Sequence, residues 1–184
     1  TIQIALNYLA ANNVTDGIAY VLTGNYTENI VWPTKNLGLT LKGLYPSASA
    51  NVIISGGNTG RTIQVGSTND GVRLNLENLT IQNGQIANNG AGIFLANNSG
   101  LTMTNVIVSK NTTTTSGRGA GLYSNGSNTF VTINQCIFSN NQAYDHGGAI
   151  YKGTGTFVIK DTGFINNTAN GSAGASGAAI FSAG

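Results

Sequence analysis

Six carboxylates are all the acid chemistry this chain offers: Asp16, Glu28, Asp70, Glu77, Asp145 and Asp161. Cleaving a polysaccharide would require some of them on one face, holding Ca²⁺ beside a basic residue or standing within about 10 Å as acid and base. Only Asp145 is followed by an imidazole, in "NNQAYDH", with Lys152 nearby in sequence. A loop Asp-His reads first as a turn and only then as a ligand contact, so no catalytic residue and no metal ligand is assigned. Tyr144, Asp145 and His146, with Lys110 and Arg118 from the preceding loop, are the candidate binding residues. Cys136 has no partner for a disulfide and reads as a small buried hydrophobe. The glycine runs lack the strand, loop and helix context of a phosphate cradle, so no cofactor is expected. The threonines of "NTTTTSGR" are consecutive within one loop, which speaks against a repeating ice-binding face.

Composition narrows the class. The 184 residues suit a single domain, and only 8% of them are charged against roughly a quarter in average soluble proteins. The 26 glycines are joined by 26 asparagines and 35 serines and threonines, so the polar surface is mostly amide and hydroxyl. A net charge of +2 carried by scattered Lys and Arg excludes nucleic acid as a partner, because phosphate binding needs clustered positive charge. No apolar run approaches the roughly 18 residues needed to cross a bilayer, so this segment does not insert in a membrane.

The elements that must position the candidates come from a repeat. "LNLENLTIQNG" from Leu74, "LTMTNVIVSKN" from Leu101, "VTINQCIFSNN" from Val131 and "FVIKDTGFINN" from Phe157 start 27, 30 and 26 residues apart. Each is followed by small residues and an apolar pair: "GAGIF", "GAGLY", "GGAIY" and "GAAIF". Apolar residues alternate within each copy, with Leu79, Val106 and Cys136 among those expected inside, so the copies are strands. The alternation slips at Asn78, Asn105, Gln135 and Asp161, which implies a tight corner in left-handed backbone geometry. A helix lacks the required i, i+3, i+4 and i+7 spacing. A propeller blade needs about 40 to 50 residues. Coils of 26 to 30 residues fit three short strands and three turns of a parallel β-helix, stacked about 4.8 Å apart. In this reading the aromatic of "FSNN" and "FINN" fills the core, the asparagine pair turns the chain out, and the Gly-Ala-Ile stretch re-enters. Stacking also accounts for the missing charge, since like charges about 4.8 Å apart repel by roughly 1 kcal/mol even in water, whereas asparagines bond amide to amide.

The whole chain is thus expected to be an all-β solenoid of about five to six coils: a helix over 1–13, irregular first coils over 17–70, and four regular coils over 71–184. Ile2, Ala5, Leu6, Leu9 and Ala10 give the first segment a helical apolar stripe suited to cover the unpaired end. At the other end "AAIFSAG" stops in mid-repeat. That ending, with Thr1 in place of an initiator Met, points to processing, to a segment of a longer chain or to a second subunit docking on the last coil. Loops after every second corner, at 82–89, 110–118, 140–146 and 166–176, should line one edge as a binding surface. Eight sequons make Asn13, Asn25, Asn78, Asn97, Asn111, Asn125, Asn166 and Asn170 candidates for glycosylation.

The opening helix followed by "YVLTGNYTENIV" and "LTLKGL" resembles the start of right-handed parallel β-helix proteins of the pectate-lyase-like superfamily. The FxxN elements at Phe138 to Asn141 and Phe164 to Asn167, and "GGAI" at Gly147 to Ile150, resemble the repeats of chlamydial polymorphic outer-membrane proteins and related surface adhesins. The resemblance implies a secreted or cell-surface passenger-like domain. The function expected is a non-enzymatic structural or adhesion module that displays loops or stacks end to end into a fibre. Its partners would be further copies or a longer parent chain, and a host receptor or glycan. The alternative is a carbohydrate-active β-helix enzyme or a glycan-binding module.

Overall fold

The structure is a computed structural model and describes residues 1–35, 37–44, 51–66, 71–171 and 173–183. It begins with a helix at Ile2–Ala11 whose buried face is Ile2, Leu6 and Ala10. Thr1 caps the helix by accepting the Ile4 N–H through its hydroxyl, and Asn12 ends it by donating Nδ2 to the Tyr8 carbonyl at 2.8 Å. Glu28, from the first coil, accepts the N–H groups of Ile2 and Gln3 at 2.9 and 3.1 Å. A carboxylate at a helix N-terminus satisfies donors that have no partner within the helix and complements the dipole. One acid thus fixes the helix across the end of the first coil.

Beyond the helix the chain winds as a parallel β-solenoid of about five turns. A long bent face carries ten strands, with Arg73–Gln82, Gly100–Ser109, Phe130–Asn134 and Ile137–Ser139 at its centre. A third face stacks six strands, Ile30–Trp32, Ile63–Val65, Ile93–Leu95, Leu122–Ser124, Ile150–Lys152 and Ile180–Ser182. Between them, the later coils add a short face of two-residue strands: Gln85–Ile86, Thr112–Thr113, Gln142–Ala143 and Thr168–Ala169. These fall inside stretches that the sequence reads as pure loop, and two residues leave too little alternation to be recognised.

Register follows the repeat. Leu74, Leu101, Val131 and Phe157 lie in one row, and Ile81, Val108, Phe138 and Phe164 in another. Leu79, Val106 and Cys136 are buried. Each fully buried aliphatic contributes on the order of 1.5–3 kcal/mol of transfer free energy, which is what holds the coils together. The slip positions are bends in left-handed backbone, with φ of 55° at Asn78, 53° at Asn105, 53° at Gln135 and 47° at Asp161. A second left-handed row follows at Asn83, Lys110, Asn140 and Asn166.

The asparagine pairs divide their work, which corrects the expectation that both residues turn the chain out. Asn140 and Asn166 make the corner, whereas Asn141 and Asn167 send their side chains inward. Asn111 and Asn141 are fully buried. Asn111 Nδ2 donates to Asn141 Oδ1 at 3.0 Å, and Asn141 Nδ2 to Asn167 Oδ1 at 2.9 Å. The same oxygens accept the backbone N–H groups of Asn111 and Asn141, and Asn111 Oδ1 accepts that of Gly84. Each amide also donates down to a core carbonyl, Ile81, Val108 or Phe138. The ladder therefore satisfies the backbone exactly where the corner breaks strand pairing, as burial of polar groups demands.

Candidate functional site

Variable loops join the short face to the third face, and backbone bonds stack them: Gly90 N–H to the Arg118 carbonyl, Gly119 to His146 and Gly147 to Ser176. Asn89, Arg118, His146 and Ser176 thereby form a column, each preceding a glycine with φ between 60° and 69°. Glycine is needed at that position because other residues pay for left-handed geometry and because a Cβ would strike the carbonyl of the residue three positions on in the same coil.

Three of the five candidate binding residues meet at this column. Arg118 Nε donates to Asp145 Oδ2 at 2.6 Å, and Asp145 Oδ1 lies 3.3 Å from His146 Nε2. The Asp145 and His146 side chains keep only 17% and 19% of their surface, so the pair is shielded by its neighbours. The hydrogen bond to Asp145 is the main cause that holds the Arg118 guanidinium above its ordinary pKa. Lys110 and Tyr144 stay outside the cluster. Lys110 is an exposed residue of the second corner row, and Tyr144 lays its ring over the backbone of Gly171 in the next coil. A side chain packed on its own solenoid is no protruding anchor.

Beside the cluster runs an aromatic stack that sequence reading did not separate from the core. In "GIF", "GLY", "AIY" and "AIF" the Ile or Leu points inward, while Phe94, Tyr123, Tyr151 and Phe181 point outward and stack with centroids 5.5, 5.1 and 5.3 Å apart. The signal was present, since adjacent residues of a strand face opposite sides. Arg61 lies 4.4 Å over Phe94, and burial lowers its pKa. Burial is also the largest influence on Tyr123, whose phenol is raised. Tyr123 and Tyr151 have both ring faces covered by neighbours, which leaves edges and not platforms for a sugar to lie on.

The other acids do not gather. Glu77 bonds Lys42 at 2.6 Å. It lies three rungs from Lys160, next to Asp161, or about 14 Å at the usual strand spacing. Glu28 is committed to the helix, and Asp70 lies outside the described residues. Among the described residues no group of three His, Cys, Asp or Glu could hold a metal ion. Cys136 is buried among the core side chains, and that burial raises its pKa.

The glycosylation candidates separate by burial. Asn13, Asn25, Asn97, Asn125, Asn166 and Asn170 are exposed. Asn111 is corrected: its amide is buried in the ladder and has no room for a glycan. Asn78 is corrected likewise, being buried while accepting from Asn105 Nδ2 at 3.0 Å.

Residues 41–183 match the family described as right handed beta helix region. The chain belongs to that family, and its solenoid is right-handed. Over 87 residues, 45% of this chain, it is 39% identical to the probable autotransporter YfaL of Escherichia coli strain K12. The matched stretch spans 7% of that relative's length. No solved structure matches the chain. No helix among the described residues is long and apolar enough to cross a membrane.

Proposed function

We propose that this protein is a secreted or cell-surface passenger module whose solenoid is a rigid scaffold for display and adhesion. The observation that carries the reading is the in-register loop column on one edge, built on strands that keep their pairing while the loops change length. The likeness to a probable autotransporter supports placing it outside the cell. Scattered carboxylates support a role other than polysaccharide cleavage, because an acid–base pair needs both groups within about 10 Å of one bond.

A larger parent chain or a second copy of the protein would add its coil at the later end. The helix covers the first coil, whereas Phe157, Ile159 and Phe164 in the last full coil are only partly buried and Ile180 is 39% exposed. The partners proposed are a further coil of the same pattern, and a receptor or glycan met by the loops.

Staining of intact source cells with antibody to the folded protein tests the location. Surface fluorescence without permeabilisation is expected, and staining seen only after permeabilisation overturns the proposal. A glycan and cell-binding panel then tests adhesion. Cleavage of an acidic polysaccharide that Asp145→Ala abolishes would replace the scaffold reading with the enzymatic one.

A further inference from the structure

Four Asn-Gly dipeptides lie along the chain, at Asn83, Asn89, Asn125 and Asn170. Such a pair carries its own chemistry, because the glycine nitrogen, unhindered by a Cβ, can lose its proton and attack the side-chain carbonyl carbon of the asparagine. Coil stacking disarms three of the four. Gly84 N–H donates to Asn111 Oδ1 at 2.9 Å, Gly90 N–H to the Arg118 carbonyl at 3.0 Å and Gly171 N–H to the Tyr144 carbonyl at 2.8 Å. A nitrogen held in this way must first break its bond, so local opening of the coil limits the reaction. The Gly126 N–H has no acceptor among the described residues.

The asparagines differ as well. Asn89 Oδ1 accepts the Arg118 N–H at 2.9 Å, and Asn83 Nδ2 donates to Ser55 Oγ at 3.3 Å. Asn125 is exposed and bonds the Tyr123 phenol, a contact between side chains that does not tie the Gly126 nitrogen. Asn170 is exposed too, so the bond made by its glycine is what sets it apart from Asn125. Nor can the fold replace the reactive glycine. A Cβ at Gly126 would stand 2.7 Å from Asn97 Cα in the previous coil. The stack therefore requires at this place the residue that makes the preceding asparagine labile, with exposed Asn125 and Ser127 on either side of it.

We propose that Asn125 is a self-modification site, which converts to aspartate and isoaspartate through a cyclic imide closed by the Gly126 nitrogen. Solvent hydroxide takes the Gly126 N–H proton, the nitrogen bonds to Asn125 Cγ, and the carbonyl electron pair moves onto oxygen. When that carbonyl re-forms, the Cγ–Nδ2 bond breaks and Nδ2 leaves as ammonia with a proton from water. Water then opens the ring. Attack at Cγ gives aspartate, whereas attack at the backbone carbonyl gives isoaspartate and lengthens the main chain by one methylene. Either product adds a carboxylate beside Gly153 of the next coil, on which the Asn125 side chain packs. Isoaspartate also displaces the turn that Thr129 closes by donating its N–H to the Gly126 carbonyl at 3.4 Å. Because Asn125 opens a glycosylation sequon, a glycan on Nδ2 and this conversion exclude one another. The proposal goes beyond the scaffold reading and does not depend on it.

Ageing the whole folded protein, made without N-linked glycans, in mildly alkaline water labelled with heavy oxygen tests it. Peptide mass spectrometry then reads the conversion of each Asn-Gly pair, since ring opening leaves one labelled oxygen at every site that reacted. Asn125 should convert at least about tenfold faster than Asn83, Asn89 and Asn170, the scale of one backbone hydrogen bond that must open first. Its product should contain both aspartate and isoaspartate, which separate by chromatography. In urea the four pairs share one local sequence and no stacking, so their rates should draw level. Conversion of Asn125 no faster than that of Asn170 in the folded protein overturns the proposal. So does a preference for Asn125 that persists undiminished in urea, because the selectivity would then come from neighbouring sequence and not from the coil.

Discussion

Two columns of asparagine run along this solenoid and do opposite jobs. The corner column, Asn78 and Asn105 continued by Gln135 and Asp161, exists for its backbone: all four residues hold left-handed angles, and three residue types serve. The ladder column, Asn111, Asn141 and Asn167, exists for its side chains, each giving and taking bonds across neighbouring coils. Conformation tolerates substitution by chemistry of similar shape. A buried amide that both donates and accepts does not.

The sharpest break in that comparison lies within one dipeptide. Asn141→Ala removes the acceptor of the Asn111 N–H and of one Asn111 amide hydrogen, and a donor to the Val108 carbonyl, in a dry interior, and each buried unsatisfied group costs about 1–3 kcal/mol. A loss of about 3–5 kcal/mol is expected by urea denaturation. Its neighbour Asn140, at φ 55°, should accept glycine with little change, because glycine has no steric penalty in that region. Equal losses for Asn140→Gly and Asn141→Gly would erase the distinction between columns.

The corner column is probed by shape. Asn105→Val places a β-branched side chain at φ 53° and should cost about 1–2 kcal/mol by the same measurement. Asn105→Gly should recover most of that loss. A recovery that fails would show that the amide bond from Asn105 to Asn78, and not the backbone angle, is what the corner requires.

These contrasts explain how much of the molecule was legible in the sequence. The corners were readable because Asn78, Asn105, Gln135 and Asp161 each interrupt an alternation. The ladder was not, since "NN" looks like a turn twice over, and only the inward direction of the second residue separates core from corner. The cluster was half legible. Asp145 and His146 are adjacent in the chain, but Arg118 lies 27 residues before Asp145 and Ser176 lies 30 after His146, and only coil stacking makes them neighbours. The aromatic stack hid for a related reason, because an apolar pair in a strand gives one residue to each side.

A smaller effect tests why charge is scarce. Thr104 sits opposite Glu77 on the long face, so Thr104→Glu puts two carboxylates one coil apart. The repulsion should cost roughly 1 kcal/mol and fade in high salt. Thr104→Gln, uncharged and similar in length, is the control. A penalty that salt leaves unchanged would trace the loss to packing and leave the low charge without an electrostatic explanation.

The smallest effect belongs to Lys42. Its hydrogen bond to Glu77 is the largest of the influences that raise its pKa above the ordinary 10.5. A group whose folded value is raised contributes stability in full below its unfolded value and loses it as pH climbs through the folded one. The contribution is therefore constant across neutral pH and falls away only in strong alkali. Because the ammonium is exposed, Lys42→Ala should shift the melting temperature at pH 7 by too little to resolve. The native and variant melting curves should coincide across pH 6 to 9. A clear native advantage at pH 7 would mean that exposed charge pairs across coils, and not only amide ladders, set the register of the stack.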